Sequence, residues 1–247
     1  MIKKSFGCFI LLNILAIAQS LNTIVLDSTN NVVLRGGITE KLADEFIISL
    51  TEKTPTYVYI SSNGGSIMAG NRIISQLSQY NLTCIAERAY SMAFVILQAC
   101  NIRLVTPFAT VMQHQASLGI QGDIYPITNY LKMIHSMEQQ MNRLQSSRVQ
   151  MDEDAFRTLT TTEWWLFGED IIKNNVADEI VNVKCSKELL EKNVTSTKYG
   201  FFDERAETYS ACPLISKPLE VEYKDKVYHE KQESPYEFIN VDAKRYL

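Results

Sequence analysis

Tyr57-Val58-Tyr59-Ile60-Ser61-Ser62-Asn63-Gly64-Gly65-Ser66 is the stretch on which the fold turns. Its first four residues are β-formers and predict a short strand. The glycine pair predicts a tight turn, because glycine reaches backbone conformations that a side chain would forbid. Ile67, Ile73, Ile74 and Leu77 then recur at helical spacing. Strand, turn and helix follow one another without a break.

The pattern repeats on both sides. Upstream, Asn31 to Gly37 reads as a strand closing into a glycine turn, and Thr39 caps a helix with Leu42, Phe46, Ile47 and Leu50 on its apolar face. Pro55 ends that helix. Downstream, Thr83 to Ala86 is a strand, and Ser91 to Cys100 is a helix apolar nearly all round, which predicts burial. Ile102–Val105 and Thr110–Gln113 read as two strands parted by Pro107. Strands alternating with helices predict an α/β domain with largely parallel pairing.

Leu118 to Gly122 is a glycine-bearing extended piece, and beyond Pro126 runs the longest helix. Its stripe of Ile127, Leu131, Ile134, Met137, Met141 and Leu144 serves core packing or a second subunit. A further helix is expected from Thr161 to about Asn175, with Trp164 and Trp165 as core or interface anchors, then a last strand from Ala177 to Val183. Residues 184–247 are charged and tyrosine-rich, carry Pro213, Pro218 and Pro235, and read as an irregular C-terminal extension of unassigned role.

The N-terminus reads as an address. Lys3 and Lys4 precede an apolar run from Phe6 to Ala18, followed by small residues, so residues 1–20 are expected to be a signal peptide and the chain secreted or extracytoplasmic. The run is shorter than the about 20 residues that span a bilayer. An uncleaved anchor is the alternative. Of 247 residues 46% are hydrophobic and 21% charged, which is ordinary for a globular protein. A net charge of −4 argues against a nucleic-acid surface.

Beyond the leader lie Cys84, Cys100, Cys185 and Cys212, which allow three pairings. Cys185 and Cys212 flank a polar segment and are the expected disulfide; Cys84 and Cys100 sit in apolar runs and read as buried thiols. No Cys/His pair has zinc spacing, so neither metal nor cofactor is expected.

Three groups carry chemistry. Ser91 opens a helix, where orphan amides and the helix dipole favour negative charge, so the Met92 N–H would face a developing oxyanion. Gly65, without a side chain, could bring a second amide to the same oxygen. His114 ends a strand further on and could serve Ser91 as base. Alone, each has a plainer reading: serine is an ordinary N-cap, and a lone histidine near a strand end is more often structural.

The order of the motifs is what is specific. Tyr59 to Ser66 with Ala69-Gly70, then Ala89-Tyr90-Ser91-Met92, then Met112-Gln113-His114-Gln115, and finally Asn175-Val176-Ala177-Asp178 resemble the proteolytic subunit of the Clp protease, the ClpP family, over about residues 31–183. The resemblance implies a ClpP/crotonase-like α/β core of repeated β-β-α and βαβ units in residues 21–183. A protruding strand-helix handle would begin at Leu118.

It also implies a serine endopeptidase of peptides or unfolded proteins. Ser91 would be the nucleophile, His114 the base, and Gly65 and Met92 the oxyanion donors, with Gly64, Leu118 and Gly119 along the substrate. Alignment back from Asp178 puts Glu163 where the family carries its triad aspartate; Asp152, Asp154 and Asp170 are weaker candidates. Read as helix, Glu163 is equally a first-turn carboxylate. The implied partners are further copies of the chain in rings and an ATP-driven AAA+ unfoldase, which a secreted chain would not meet. Asn63, Glu87 and Ala93 depart from the family pattern, and Glu87 would crowd or charge the cleft. The competing expectation is therefore a catalytically impaired ring subunit acting as a scaffold. An acyl-CoA enzyme of the crotonase type would share the glycine turn but has no need of the Ser-Met and His-Gln pairs.

Overall fold

A computed structural model describes residues 21–53, 55–199 and 204–224. The expected signal peptide of residues 1–20 and the last residues of the extension lie outside them. The described elements begin with β1 (Thr23–Leu26), β2 (Asn31–Arg35), α1 (Glu40–Lys53), β3 (Tyr57–Ser62), α2 (Ile67–Leu77), β4 (Thr83–Tyr90) and α3 (Met92–Ala99). Next come β5 (Ile102–Gln113), α4 (Ile124–Val149), α5 (Glu153–Leu159), β6 (Trp164–Phe167), α6 (Glu169–Lys173) and β7 (Glu179–Ile180). The last are β8 (Asn182–Cys185), α7 (Lys187–Glu191), β9 (Asn193–Tyr199), β10 (Glu204–Ser210) and β11 (Glu220–Lys224).

The central sheet runs β2-β3-β4-β5-β6, with β7 also on β5. Pairing is parallel from β2 to β5, as the alternation of strands and helices requires, and antiparallel only at β6. The fold is a mixed α/β architecture, as the sequence led one to expect.

Both faces of this sheet are buried, which is why its strands read as continuous apolar runs. Val58, Ile60, Cys84, Ala86 and Val105 belong to the main core with the helices. Their neighbours Tyr59, Ile85 and Leu104 belong to a second cluster completed by Leu26, Val181, Leu189 and Cys212. That alternation follows from the period of two along a strand.

Several elements differ from the sequence reading. The run Thr161–Asn175 is not one helix. Trp164 and Leu166 turn inward while Trp165 and Phe167 stay exposed, so the aromatic-rich piece forms β6, and only Glu169–Lys173 is helical. The two strands expected around Pro107 are one, β5, whose register against β4 jumps from Val105 to Thr110. The same irregularity sets Glu87 out of line on β4. The expected closing strand is two short ones, β7 and β8, and β1 was not foreseen.

The segment that read as irregular is ordered well beyond residue 184. β9, β10 and β11 form an antiparallel sheet, and β8 pairs parallel with β1. Leu189 and Cys212 anchor it on the second cluster, and Arg35 donates to the carbonyls of Pro213 and Ile215. Polar residues on both faces hid these strands: Asn193–Tyr199 and Glu204–Ser210 lack any apolar alternation. Two disulfides are present, Cys185–Cys212 and Cys84–Cys100. The second corrects the reading of buried thiols. Cys84 lies on β4 and Cys100 just past α3, and the return of α3 onto the sheet brings their Cα atoms to 5.9 Å.

Arg103 ties the layers together. Nearly buried on β5, it donates to Asp178, to the Gln98 side chain and to the carbonyls of Arg148 and Asn175. Burial acts to raise the Asp178 carboxyl, but the hydrogen bonds and charge of Arg103 outweigh it and hold the group below its usual range.

Opening the Cys185–Cys212 bridge, which closes a sequence separation of 27, removes a chain constraint worth about 3 kcal/mol. In a Cys185→Ser/Cys212→Ser variant, denaturant unfolding shows that loss, and amide exchange rises first in β9–β11.

Candidate active site

The site is built where two strand-to-helix turns abut. In the first, between β3 and α2, the buried Ser62 donates from its hydroxyl to the Gly36 carbonyl at 2.6 Å and accepts the Gly64 N–H at 3.1 Å. The Gly64 carbonyl accepts from Ile38 N–H, and the Ile38 carbonyl from Ser66 N–H, both at 2.8 Å. Ser66 then caps α2 through its hydroxyl and the Ala69 N–H. Both glycines are required. Gly64 has φ +89°, and a Cβ there would meet the Tyr90 carbonyl at 2.6 Å and the Ser91 Cβ at 2.8 Å. Gly65, at φ +149°, lies so close on the Ile38 backbone that a Cβ would collide with it.

The second turn joins β4 to α3 through Ser91. Its backbone, at φ 53° and ψ −122°, is outside the regions a side chain favours. Its N–H donates to the Met112 carbonyl at 2.8 Å, and its carbonyl accepts from Phe94 and Val95. The hydroxyl does not cap the helix. Among the described residues the N–H groups of Gly65 and Met92 have no acceptor, and both residues line one cleft with Ser91 and His114. The Met92 side chain packs on Gly70 of α2.

His114 follows the last residue of β5. Its N–H donates to Gln113 Oε1 at 3.1 Å, and Gln113 donates in turn to Gln145 of α4. Gln115 N–H reaches the Thr160 carbonyl at 2.9 Å, and Ala116 N–H reaches Glu138 Oε1 at 3.2 Å. The histidine segment is thus clamped on both sides. Ser91 and His114 share the cleft without a hydrogen bond between them among the described residues. Unliganded serine sites often tighten only when substrate is bound.

Glu163 sits one step beyond the Gln113–Trp164 pair of β5 and β6, so the register carries it along the strand toward His114. Its carboxylate is engaged by Trp165 Nε1 at 2.8 Å. It precedes a strand, so it is not a first-turn helix carboxylate. Of the weaker candidates, Asp152 caps α5 and Asp170 pairs with Lys173 on α6, while Asp154 pairs with Arg157.

Leu118 and Gly119 are exposed on the piece between β5 and α4, which pairs with none of the described strands, and they do not line the cleft. Gly64 lies against the Ser91 turn and is not among the residues that line the cleft. Glu87 is not in the cleft at all. It accepts from the Tyr59 phenol on the other face of the sheet, and burial first, then the Glu87 charge, push that phenol up. Trp164 is core and Trp165 stacks edge-on against Tyr90 at 4.9 Å. No group of three His, Cys, Asp or Glu that could hold a metal occurs among the described residues.

The sequence reading missed the α4 contribution. Glu138, Met141, Asn142 and Gln145 line the cleft at steps of three and four, a spacing visible in the sequence but set beside the apolar stripe and mostly polar.

A family model described as Clp protease matches residues 18–184. The ATP-dependent Clp protease proteolytic subunit 2 of Pseudomonas aeruginosa is 22% identical over 160 residues, covering 61% of this chain and 80% of the relative. The proteins of the same name from Borreliella burgdorferi and Tropheryma whipplei are 27% and 29% identical, covering 65% and 60% of this chain and 86% and 89% of their own lengths.

The Ser91 turn gives a test independent of activity. Positive φ at a non-glycine residue outside the left-handed helical region costs about 1–3 kcal/mol. Ser91→Gly therefore melts higher than Ser91→Ala in thermal unfolding, by an amount of about 1 kcal/mol in stability.

Proposed function

The chain belongs to the Clp protease family, and from that premise we propose that it is an active serine endopeptidase of peptides and unfolded chains. Ser91 Oγ attacks the peptide carbonyl while His114 takes its proton. The oxyanion is received by the N–H groups of Gly65 and Met92. His114 returns the proton to the leaving amine, and water hydrolyses the acyl-enzyme in the reverse sense. The observation that carries this reading is the strained Ser91, beside two amides free of other acceptors in a cleft that also holds His114.

Glu163 is the residue assigned to orient His114, after turning away from the Trp165 indole. Its extra methylene relative to aspartate gives it the reach for that rotation.

Two disulfides support an extracytoplasmic site of action, since such bridges persist in oxidising compartments. The relatives are named ATP-dependent. An extracytoplasmic chain finds little ATP, so this peptidase works in rings without an ATP-driven unfoldase. Unfoldase-dependent degradation in a native extract would overturn that.

A fluorophosphonate probe labels the purified protein, and labelling is lost in both Ser91→Ala and His114→Ala. An assembled protein that resists the probe would instead favour a scaffold subunit, a reading to which the engagement of Glu163 by Trp165 lends some support. Glu163→Gln lowers kcat for a fluorogenic peptide by roughly a hundredfold, less than the about 10⁴-fold lost when a fully seated orienting carboxylate is made neutral, because Glu163 must first leave the Trp165 indole.

A further inference from the structure

We propose that Glu138 determines the substrate preference of the cleft, selecting peptides with lysine or arginine on the acyl side of the scissile bond. The proposal rests on Ser91 as the nucleophile. With the scissile carbonyl over Ser91 and its oxygen toward the Gly65 and Met92 amides, the adjoining side chain enters the rest of the same cleft. Ile67, Val95 and Met141 give that part its apolar lining, and Glu138 is the one carboxylate in it. Among the described residues no lysine or arginine lines the cleft.

The Glu138 carboxylate is under-used. One oxygen accepts the Ala116 N–H at 3.2 Å, and the other lies 3.9 Å from Nδ1 of the well-exposed His135. An ionised carboxylate accepts about four hydrogen bonds, so most of that capacity is open. Arg143, further along α4, is paired with Glu153. The Glu138 side chain is only 28% exposed, which lessens solvent screening of its charge.

A long cationic side chain matches both halves of this surface. Its methylene stem lies against Ile67, Val95 and Met141, and its charged end reaches Glu138. A neutral side chain of the same length fills the apolar part and leaves the carboxylate as it was. An acidic one meets like charge. Because Ala116 N–H binds Glu138 two residues after His114, a removed carboxylate also frees that segment, so the test must compare substrates rather than absolute rates.

The test uses fluorogenic peptides ending in lysine, in its uncharged isostere norleucine, or in glutamate, with the full-length mature protein and Glu138→Gln. The wild-type protein prefers lysine to norleucine in kcat/KM by about tenfold to a hundredfold, as expected for a charge-assisted hydrogen bond. In Glu138→Gln that ratio falls to about one, and the discrimination against glutamate shrinks. A wild-type protein that labels with fluorophosphonate yet shows no preference for lysine overturns this proposal and leaves Ser91 in its role. Absent labelling overturns the role of Ser91. The preference is then decided by anisotropy, with labelled peptides ending in lysine or norleucine binding to Ser91→Ala. Equal affinities for the two overturn it; tighter binding of lysine, lost in Ser91→Ala/Glu138→Gln, sustains it.

Discussion

The site depends on one steric constraint: the turn after β3 and the turn after β4 touch, backbone to backbone, with no room for a Cβ at Gly64. Contact this close lets an amide from each turn border one cleft, and no arrangement with side chains between them could do so. Everything next to the contact fixes it. Ser62 holds the first turn from below, Ile38 pairs across it, and Met112 takes the Ser91 N–H. Parallel pairing of β3, β4 and β5 then decides which strand ends lie side by side, and the site falls at those ends.

The opposite face of the same sheet carries a different burden. Tyr59, Ile85 and Leu104 would be exposed there, and a sheet of parallel strands has no polar face to offer solvent. Here the cover comes from β1 and from the extension through Leu189 and Cys212, with the Cys185–Cys212 bridge closing over it. The extension is therefore part of the folded domain by its packing, although its own strands are polar on both sides. Arg103 does the corresponding work within the main body, joining β5 to α3, to the end of α4 and to the turn after α6.

Residues whose role is local were legible in the sequence. The glycine turn, Ser91 and His114 each sit at a change from strand to turn, marked by composition over a few residues. Residues whose role depends on register or on packing direction were not. β6 looked helical because Thr161-Thr162-Glu163 imitates a cap, and only its antiparallel partner β5 selects the strand. Cys84 and Cys100 looked like core thiols because their meeting depends on where α3 returns to the sheet. Glu87 sits near Ser91 in the chain, but the irregular register of β4 places it on the other face. Glu138 and Gln145 were hidden by the apolar stripe of their own helix.

The backbone of Ser91 carries the argument one step further, because the fold makes the same turn twice. Between β6 and α6, Gly168 has φ 53° and ψ −123°; between β4 and α3, Ser91 has φ 53° and ψ −122°. Glycine adopts that conformation without strain, and serine does not. A fold that needed only the turn would have no use for a side chain at either place. The Ser91 hydroxyl does not cap its helix, so stability does not explain its presence. What remains is its place in the lining of a cleft with His114 and two amides that have no acceptor among the described residues. The strain is retained where a hydroxyl is wanted and avoided where it is not, and the difference between the two turns is itself a reason to assign Ser91 a chemical role.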